Sequence, residues 1–125
     1  MKANRKLAIA LAAGVAIGGA VIQGLHAQAR PPTYVVIDID EITDPEGMKA
    51  IPPKAGPAVA AFGGKFVMNT ENITAFDGSA PKRFVVVAFD SLEKAKAYSA
   101  SAPFKEINAM RVKTTKSRLF FVEGM

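Results

Sequence analysis

Histidine and cysteine, the side chains most often used for acid–base and nucleophilic chemistry near neutral pH, are almost absent from this chain. Its 125 residues include one histidine, His26, and no cysteine or tryptophan. We expect His26 to be removed with an N-terminal leader, so the remaining domain would hold no histidine. Ser–His and Cys–His nucleophiles, thiolate or histidine metal sites and His-ligated haem are then excluded. We predict neither a metal site nor a cofactor. The remaining side chains that could carry chemistry are carboxylates, arginine and hydroxyls.

Asp38 is the most unusual of these groups because it lies in the middle of an apolar strand, TYVVIDIDE from Thr33 to Glu41. One face of this strand is apolar, and the other turns from apolar to acidic along its length. A carboxylate buried there is unfavourable unless it is paired. Asp38 is therefore the candidate catalytic residue, as a general base or a ligand-anchoring acid. A structural ion pair or a solvated charge is the simpler interpretation.

Arg111 is the partner that the sequence suggests for Asp38. Phe104, Ile107 and Arg111 follow one another at i, i+3 and i+7, so Arg111 borders the buried stripe of its helix. The guanidinium would either bind a carboxylate ligand through a bidentate contact or hold its helix against a strand. The weaker candidates for ligand binding are Tyr34, Tyr98 and Ser117.

Four strands and two helical connections are predicted to position these side chains. The strands are expected at 33–41, 65–70 with a continuation over 72–76, 82–90 and 117–123, and the helices at 44–51, 53–61, 92–99 and 103–114. The order β, α, β, β, α, β is typical of a ferredoxin-like α+β sandwich, in which helices cover one face of a four-stranded antiparallel sheet. The strand over 82–90 is apolar on both faces, so the second face needs another cover. A second copy, packed sheet to sheet, would supply it in a symmetric homodimer.

The first 29 residues have the order of a secretory signal peptide. Basic residues at Lys2, Arg5 and Lys6 precede an apolar run over 7–22, and a small-x-small site follows at 27–29. We therefore expect a leader over 1–29, a mature domain over 30–125, and a periplasmic or secreted location. A retained anchor is the alternative, although the run is short and glycine-rich for a membrane span. The mature domain would carry 13 Lys and Arg against 11 Asp and Glu. This net positive charge is too small to predict nucleic-acid binding.

Several short segments, in a particular order, carry a resemblance to a known family. They are YVVIDI at 34–39, TDPE at 43–46, KAGP at 54–57, FGGK at 62–65, PKR at 81–83, FDSLEKA at 89–95, Arg111, KSRL at 116–119 and VEG at 122–124. The chain resembles the bacterial family called domain of unknown function 1330, in the dimeric α/β-barrel superfamily. The resemblance implies two sandwiches that share a barrel with a small cavity on each side, and we assign Asp38 to the interior face. It implies no activity. The chain departs from the family pattern at Met48, usually an aromatic, and at residues 69–71, usually Arg-Gly-Gly.

Three functions are compatible with these residues. The protein could bind a small acidic or aromatic molecule in the barrel cavity. It could be a cofactor-free enzyme, isomerase or monooxygenase-like, that uses Asp38 as base and Arg111 or a tyrosine as stabiliser. It could also be a structural module that interacts with an envelope protein. A cavity that holds both Asp38 and Arg111 would favour the first two, and a cavity filled by Phe84, Leu119 and Phe121 would exclude them.

Overall fold

The helices and strands alternate as the sequence predicts. The computed structural model describes residues 31–124, so the expected signal peptide lies outside the described residues. Along the chain the elements are β1 (Thr33–Ile42), α1 (Pro45–Met48), α2 (Ile51–Ala61), β2 (Lys65–Thr70), β3 (Arg83–Phe89), α3 (Leu92–Ser99), α4 (Ala102–Thr114) and β4 (Thr115–Glu123). The predicted ferredoxin-like βαββαβ order, with each helical connection in two pieces, is confirmed.

Side-chain caps fix where the helices begin. Asp44 Oδ1 accepts a hydrogen bond from the Gly47 backbone N–H at 3.0 Å and caps α1. Ser91 and Ser101 cap α3 and α4 in the same way, each with a hydroxyl 3.3 Å from a backbone nitrogen of the first turn. Pro52 lies in the first turn of α2, where a missing N–H leaves no helical bond unmade. The first connection is two helices, as predicted, but the break lies at residues 49–50, before the two prolines and not at them.

The sheet has the strand order β2-β3-β1-β4, and every neighbouring pair is antiparallel. The predicted continuation of β2 over 72–76 is wrong. Thr70 is the last β2 residue paired with β3, where it lies opposite Phe84, so residues beyond it have no strand to pair with. The Asn72 N–H instead bonds to the Thr70 hydroxyl at 3.0 Å, which turns the chain into an irregular loop.

The hydrophobic core lies between the helices and one face of the sheet. Its buried members are Val35, Ala55, Ala58, Val59, Val85, Val87, Phe89, Ala95, Tyr98 and Ile107. The Tyr98 ring lies at the centre of the aromatic contacts, with ring centroids 5.9 Å from Phe62, 5.4 Å from Phe89 and 5.1 Å from Phe104. This packing holds α3 and α4 against the sheet.

The second face of the sheet is also apolar. We call it the open face, and its central residues are Val36, Met68, Phe84, Val86 and Phe120. Strand pairing places Val36 between Val86 and Phe120, with Met68 beyond Val86. Met68 is 47% exposed and Phe120 is 42% exposed. The apolar second face that the strand patterns predict is therefore present in the described domain.

Among residues 31–124, none of the helices has the length and apolar character needed to cross a membrane.

Candidate functional site

A cavity of about 480 Å³ lies between the helices and the core face of the sheet. The sheet contributes Ile37, Ile39, Val85, Val87 and Leu119 to its wall, and the helices contribute Ile51, Ala55, Gly56, Val59, Tyr98, Phe104, Ile107, Asn108 and Arg111. This volume is in the range of small-molecule sites, which are mostly apolar with a few polar groups that fix orientation. Leu119 lines this cavity but Phe84 and Phe121 do not, and Arg111 lines it without Asp38, so neither of the two predicted arrangements is found in full.

Arg111 is the polar group held most firmly at the cavity wall. It lies near the end of α4, and its Nε and Nη2 donate to Asn108 Oδ1 at 3.1 and 2.8 Å. Its Nη1 donates to the Ser117 hydroxyl on β4 at 2.6 Å. The Ser117 hydroxyl lies 2.8 Å from that of Thr115, which in turn donates to the Arg111 carbonyl at 2.7 Å. The side chain therefore ties α4 to β4 and is fixed in orientation.

The charge of Arg111 has no carboxylate partner in the described part of the chain. No Asp or Glu oxygen within residues 31–124 lies within 4.0 Å of its guanidinium. Burial lowers the pKa of Arg111 from its ordinary value, because desolvation disfavours the charged form. A guanidinium still stays protonated in proteins. The apolar cavity thus presents a positive charge that no described carboxylate balances.

A second arginine, Arg83, lines the cavity with its charge already balanced. Arg83 pairs with Ile39 across the sheet and faces the same side. Its Nη1 donates to Asn69 Oδ1 at 2.7 Å, and its Nη2 forms an ion pair with Glu71 Oε1 at 2.8 Å. Because Glu71 neutralises this guanidinium, Arg111 is the better anchor for an anionic group.

The predicted pairing of Asp38 with Arg111 is wrong. Ile37 and Ile39 face the cavity, so strand alternation points Asp38 to the open face. There its partner is Arg118, which lies opposite it in the β1–β4 register and forms an ion pair with Asp38 Oδ2. The hydrogen bond and charge of Asp38 raise the pKa of Arg118. Asp38 therefore takes no part in the cavity, and the structural ion pair is the arrangement found.

The other predicted residues divide between the two faces. Tyr98 lines the cavity and is 5% exposed. Burial raises the pKa of its phenol, so the hydroxyl stays neutral and able to donate. Ser117 is not among the residues that line the cavity, but its hydroxyl accepts a hydrogen bond from Arg111 Nη1. Tyr34 pairs with Ala88 and Val122 on the side of Asp38, away from the cavity.

Sequence reasoning missed several wall residues. Asn108 precedes Arg111 by three positions on α4, a spacing that places both on one helix face and could have identified it. Asn69 and Glu71 occur in the segment where the chain departs from the family pattern, and Met48 is the other departure. All three line the cavity. Within residues 31–124, no three His, Cys, Asp or Glu side chains are grouped so that they could hold a metal ion.

The fold is similar to solved structures of low sequence identity. A protein of unknown function from Rhodopseudomonas palustris is 15% identical with a TM-score of 0.61, over 81% of this chain and 90% of that chain. SnoaB, a cofactor-independent oxygenase from Streptomyces nogalater, is 12% identical with a TM-score of 0.57, over 76% and 94%. A dimeric ferredoxin-like protein of unknown function from Thermobifida fusca is 11% identical with a TM-score of 0.56, over 75% and 92%. At these identities the likeness shows a common fold, and nothing about activity follows from it.

The family comparison covers every described helix and strand. Among curated proteins, none matches this chain. The family described as "Domain of unknown function (DUF1330)" matches residues 32–125. The resemblance seen in the short sequence segments is confirmed, and the chain belongs to the DUF1330 family.

Proposed function

We propose that this protein binds a small molecule with an acidic group and an apolar body in the cavity between its helices and its sheet. The observation that carries the proposal is Arg111, whose guanidinium lies on the wall of an apolar cavity without a carboxylate partner among the described residues. A partly buried charge is unfavourable when it is unpaired. A carboxylate on the ligand would supply the missing countercharge.

The hydrogen bonds of Arg111 prepare it for this role. Each guanidinium nitrogen gives one N–H to Asn108 or Ser117. The second N–H groups of Nη1 and Nη2 are left to donate to a ligand. Because the side chain is already oriented by its neighbours, a ligand would order little of it on binding. The apolar walls would then hold the body of the molecule, and Tyr98 would offer a neutral hydroxyl.

A reaction that needs Asp38 and Arg111 on one substrate is not compatible with this arrangement. Asp38 lies on the open face and is paired with Arg118, whereas Arg111 lies on the cavity side of the sheet. The likeness to a cofactor-independent oxygenase concerns the fold alone. We therefore propose binding rather than catalysis.

We also propose that two copies pair through the open face. Its apolar residues include Met68 and Phe120, both more than two-fifths exposed. The Thermobifida fusca protein with the same fold is dimeric, which supports a dimer of this chain but does not identify the face that pairs.

Export is the third part of the proposal. The basic, apolar and small-residue segments of 1–29 support cleavage after Ala29. Expressed with its full sequence in a bacterial host, the protein is expected in the periplasmic fraction as a chain that begins at Arg30. Intact-mass measurement and N-terminal sequencing of that fraction check the prediction. Recovery of the uncut chain with the inner membrane would instead show a retained anchor.

Replacing Arg111 by methionine is expected to remove the preference for acids. Methionine keeps much of the length of the side chain but cannot pair with a carboxylate. Isothermal titration should show that the wild type binds 3-phenylpropanoate more tightly than its neutral amide. In Arg111→Met the affinity for the acid should fall about tenfold or more, because hydrogen bonds to charged groups contribute about 1.5–3 kcal/mol.

Arg118→Met is the matched control because it removes an arginine from the opposite face of the sheet. Its affinity for 3-phenylpropanoate should equal that of the wild type. Thermal unfolding without ligand separates a binding defect from a folding defect. Equal binding of the acid by Arg111→Met and wild type would refute the anchor, and absence of binding by the wild type across a panel of small carboxylates would refute the proposed function.

A further inference from the structure

Gly56 lies in the interior of α2 and lines the cavity. A glycine inside a helix is less favourable than alanine by about 1 kcal/mol. The two glycines that follow α2 have local reasons to be glycine. Gly63 has a φ of +77°, and a β-carbon at Gly64 would approach the Phe89 ring and a Val59 methyl to 2.8 Å. Gly56 has neither reason.

The space beside Gly56 is open. Apart from its two chain neighbours and the nearby backbone of its own helix, a β-carbon at position 56 would meet no atom within 4 Å. The residue is nevertheless partly buried, and the residue before it, Ala55, is buried. A partly buried glycine that has no neighbour at contact distance borders an unfilled space. That space is the cavity, whose wall includes Gly56.

The following residue, Pro57, offers a different explanation for the glycine. The ring of a proline crowds the β-carbon of the preceding residue and disfavours a helical backbone there. Pro57 lies inside α2, so a glycine at 56 would relieve this crowding. At the start of α4, however, Ala102 precedes Pro103 directly and is helical with its β-carbon in place. The experiment below therefore removes Pro57 from the comparison.

We infer that Gly56 determines the specificity of the cavity by leaving room for a wide apolar group, such as an aromatic ring, on an acid anchored at Arg111. This inference rests on the proposed function. The aromatic side chains of Phe66, Tyr98 and Phe104 line the same cavity and suit a ring better than a short aliphatic chain. The ligand class is thus an aryl-substituted carboxylic acid.

The test compares the affinities for 3-phenylpropanoate and propanoate in the Pro57→Ala background, with and without Gly56→Leu. The leucine side chain would project into the space where the ring is expected to lie. The ratio of the two affinities should fall about tenfold or more, since one or two misplaced methylene groups in an apolar pocket change affinity by that factor. Propanoate binding at Arg111 should be unchanged. Ala60→Leu is the control, since Ala60 is an exposed α2 residue outside the cavity wall.

The outcomes separate the two proposals. An unchanged affinity ratio in Gly56→Leu, with thermal unfolding like that of its parent, overturns the role of Gly56 and leaves the Arg111 anchor standing. An equal loss for both acids also overturns it, because the position would then affect the fold rather than the choice of ligand. If Gly56→Leu does not fold, Gly56→Ala is measured in the same background. An unchanged ratio of the two affinities in Gly56→Ala would also overturn the role of Gly56. Failure of the parent to bind either acid refutes the proposed function itself.

Discussion

Phe89→Ala is expected to lower the free energy of unfolding by about 3–5 kcal/mol, as large-to-small changes of buried aromatic residues do. Phe89 is 2% exposed and lies at the end of β3 in the core. Its ring stacks on Tyr98, with centroids 5.4 Å apart. The bare backbone of Gly64 lies against the same ring. Truncation would therefore leave a void between α3, the sheet and the turn after α2, and these backbones could close it only in part.

Urea denaturation followed by circular dichroism at a single protein concentration checks this expectation, since a dimer makes stability depend on concentration. Phe76→Ala is the matched control. Phe76 lies fully exposed on the loop between β2 and β3, so the same substitution should change the free energy of unfolding by less than about 0.5 kcal/mol. Similar losses in the two variants would mean that the core is not where the structure places it.

Local sequence signals predicted most of the fold because the structure uses them locally. Asp44, Ser91 and Ser101 cap helices at positions where short polar residues precede apolar ones. The strands follow runs of β-branched residues, and β2 has the bounds predicted for it before its proposed continuation. The predicted continuation over 72–76 was wrong because it depended on a partner strand elsewhere in the chain. Residues 72–76 could extend β2 only opposite a partner strand, and β3 begins at Arg83.

The candidate site was predictable only where it depended on one helix. The i, i+3, i+7 spacing of Phe104, Ile107 and Arg111 brings all three to the cavity wall. The partner of Asp38 depended on the sheet instead. Alternation separates Asp38 from Ile37 but does not say which face the helices cover. Arg118 becomes the partner through the β1–β4 register, 80 residues along the chain. The cavity is what the packed side chains leave unfilled, and no residue pattern encodes its volume.

Val86→Glu is expected to convert the proposed dimer into a monomer. Val86 lies at the centre of the open face, between Val36 on β1 and Met68 on β2. In a two-fold interface the same patch meets its own copy, so one substitution places two carboxylates in the interface. Such charges are strongly unfavourable there unless they find partners. Light scattering coupled to size-exclusion chromatography should report a dimeric mass for the wild type and half that mass for the variant.

The control for this experiment is Val112→Glu, which places the same charge on α4 at a residue that is 62% exposed, and it should remain dimeric. A dimeric Val86→Glu, or a monomeric wild type, would mean that the open face is not the interface. Because the cavity lies on the other side of the sheet and Arg111 is held by residues of its own chain, the monomeric variant should still bind 3-phenylpropanoate. Retained binding in a monomer would show that each copy forms a complete site. Loss of binding with an intact fold would instead mean that the cavity depends on the pairing of the two sheets.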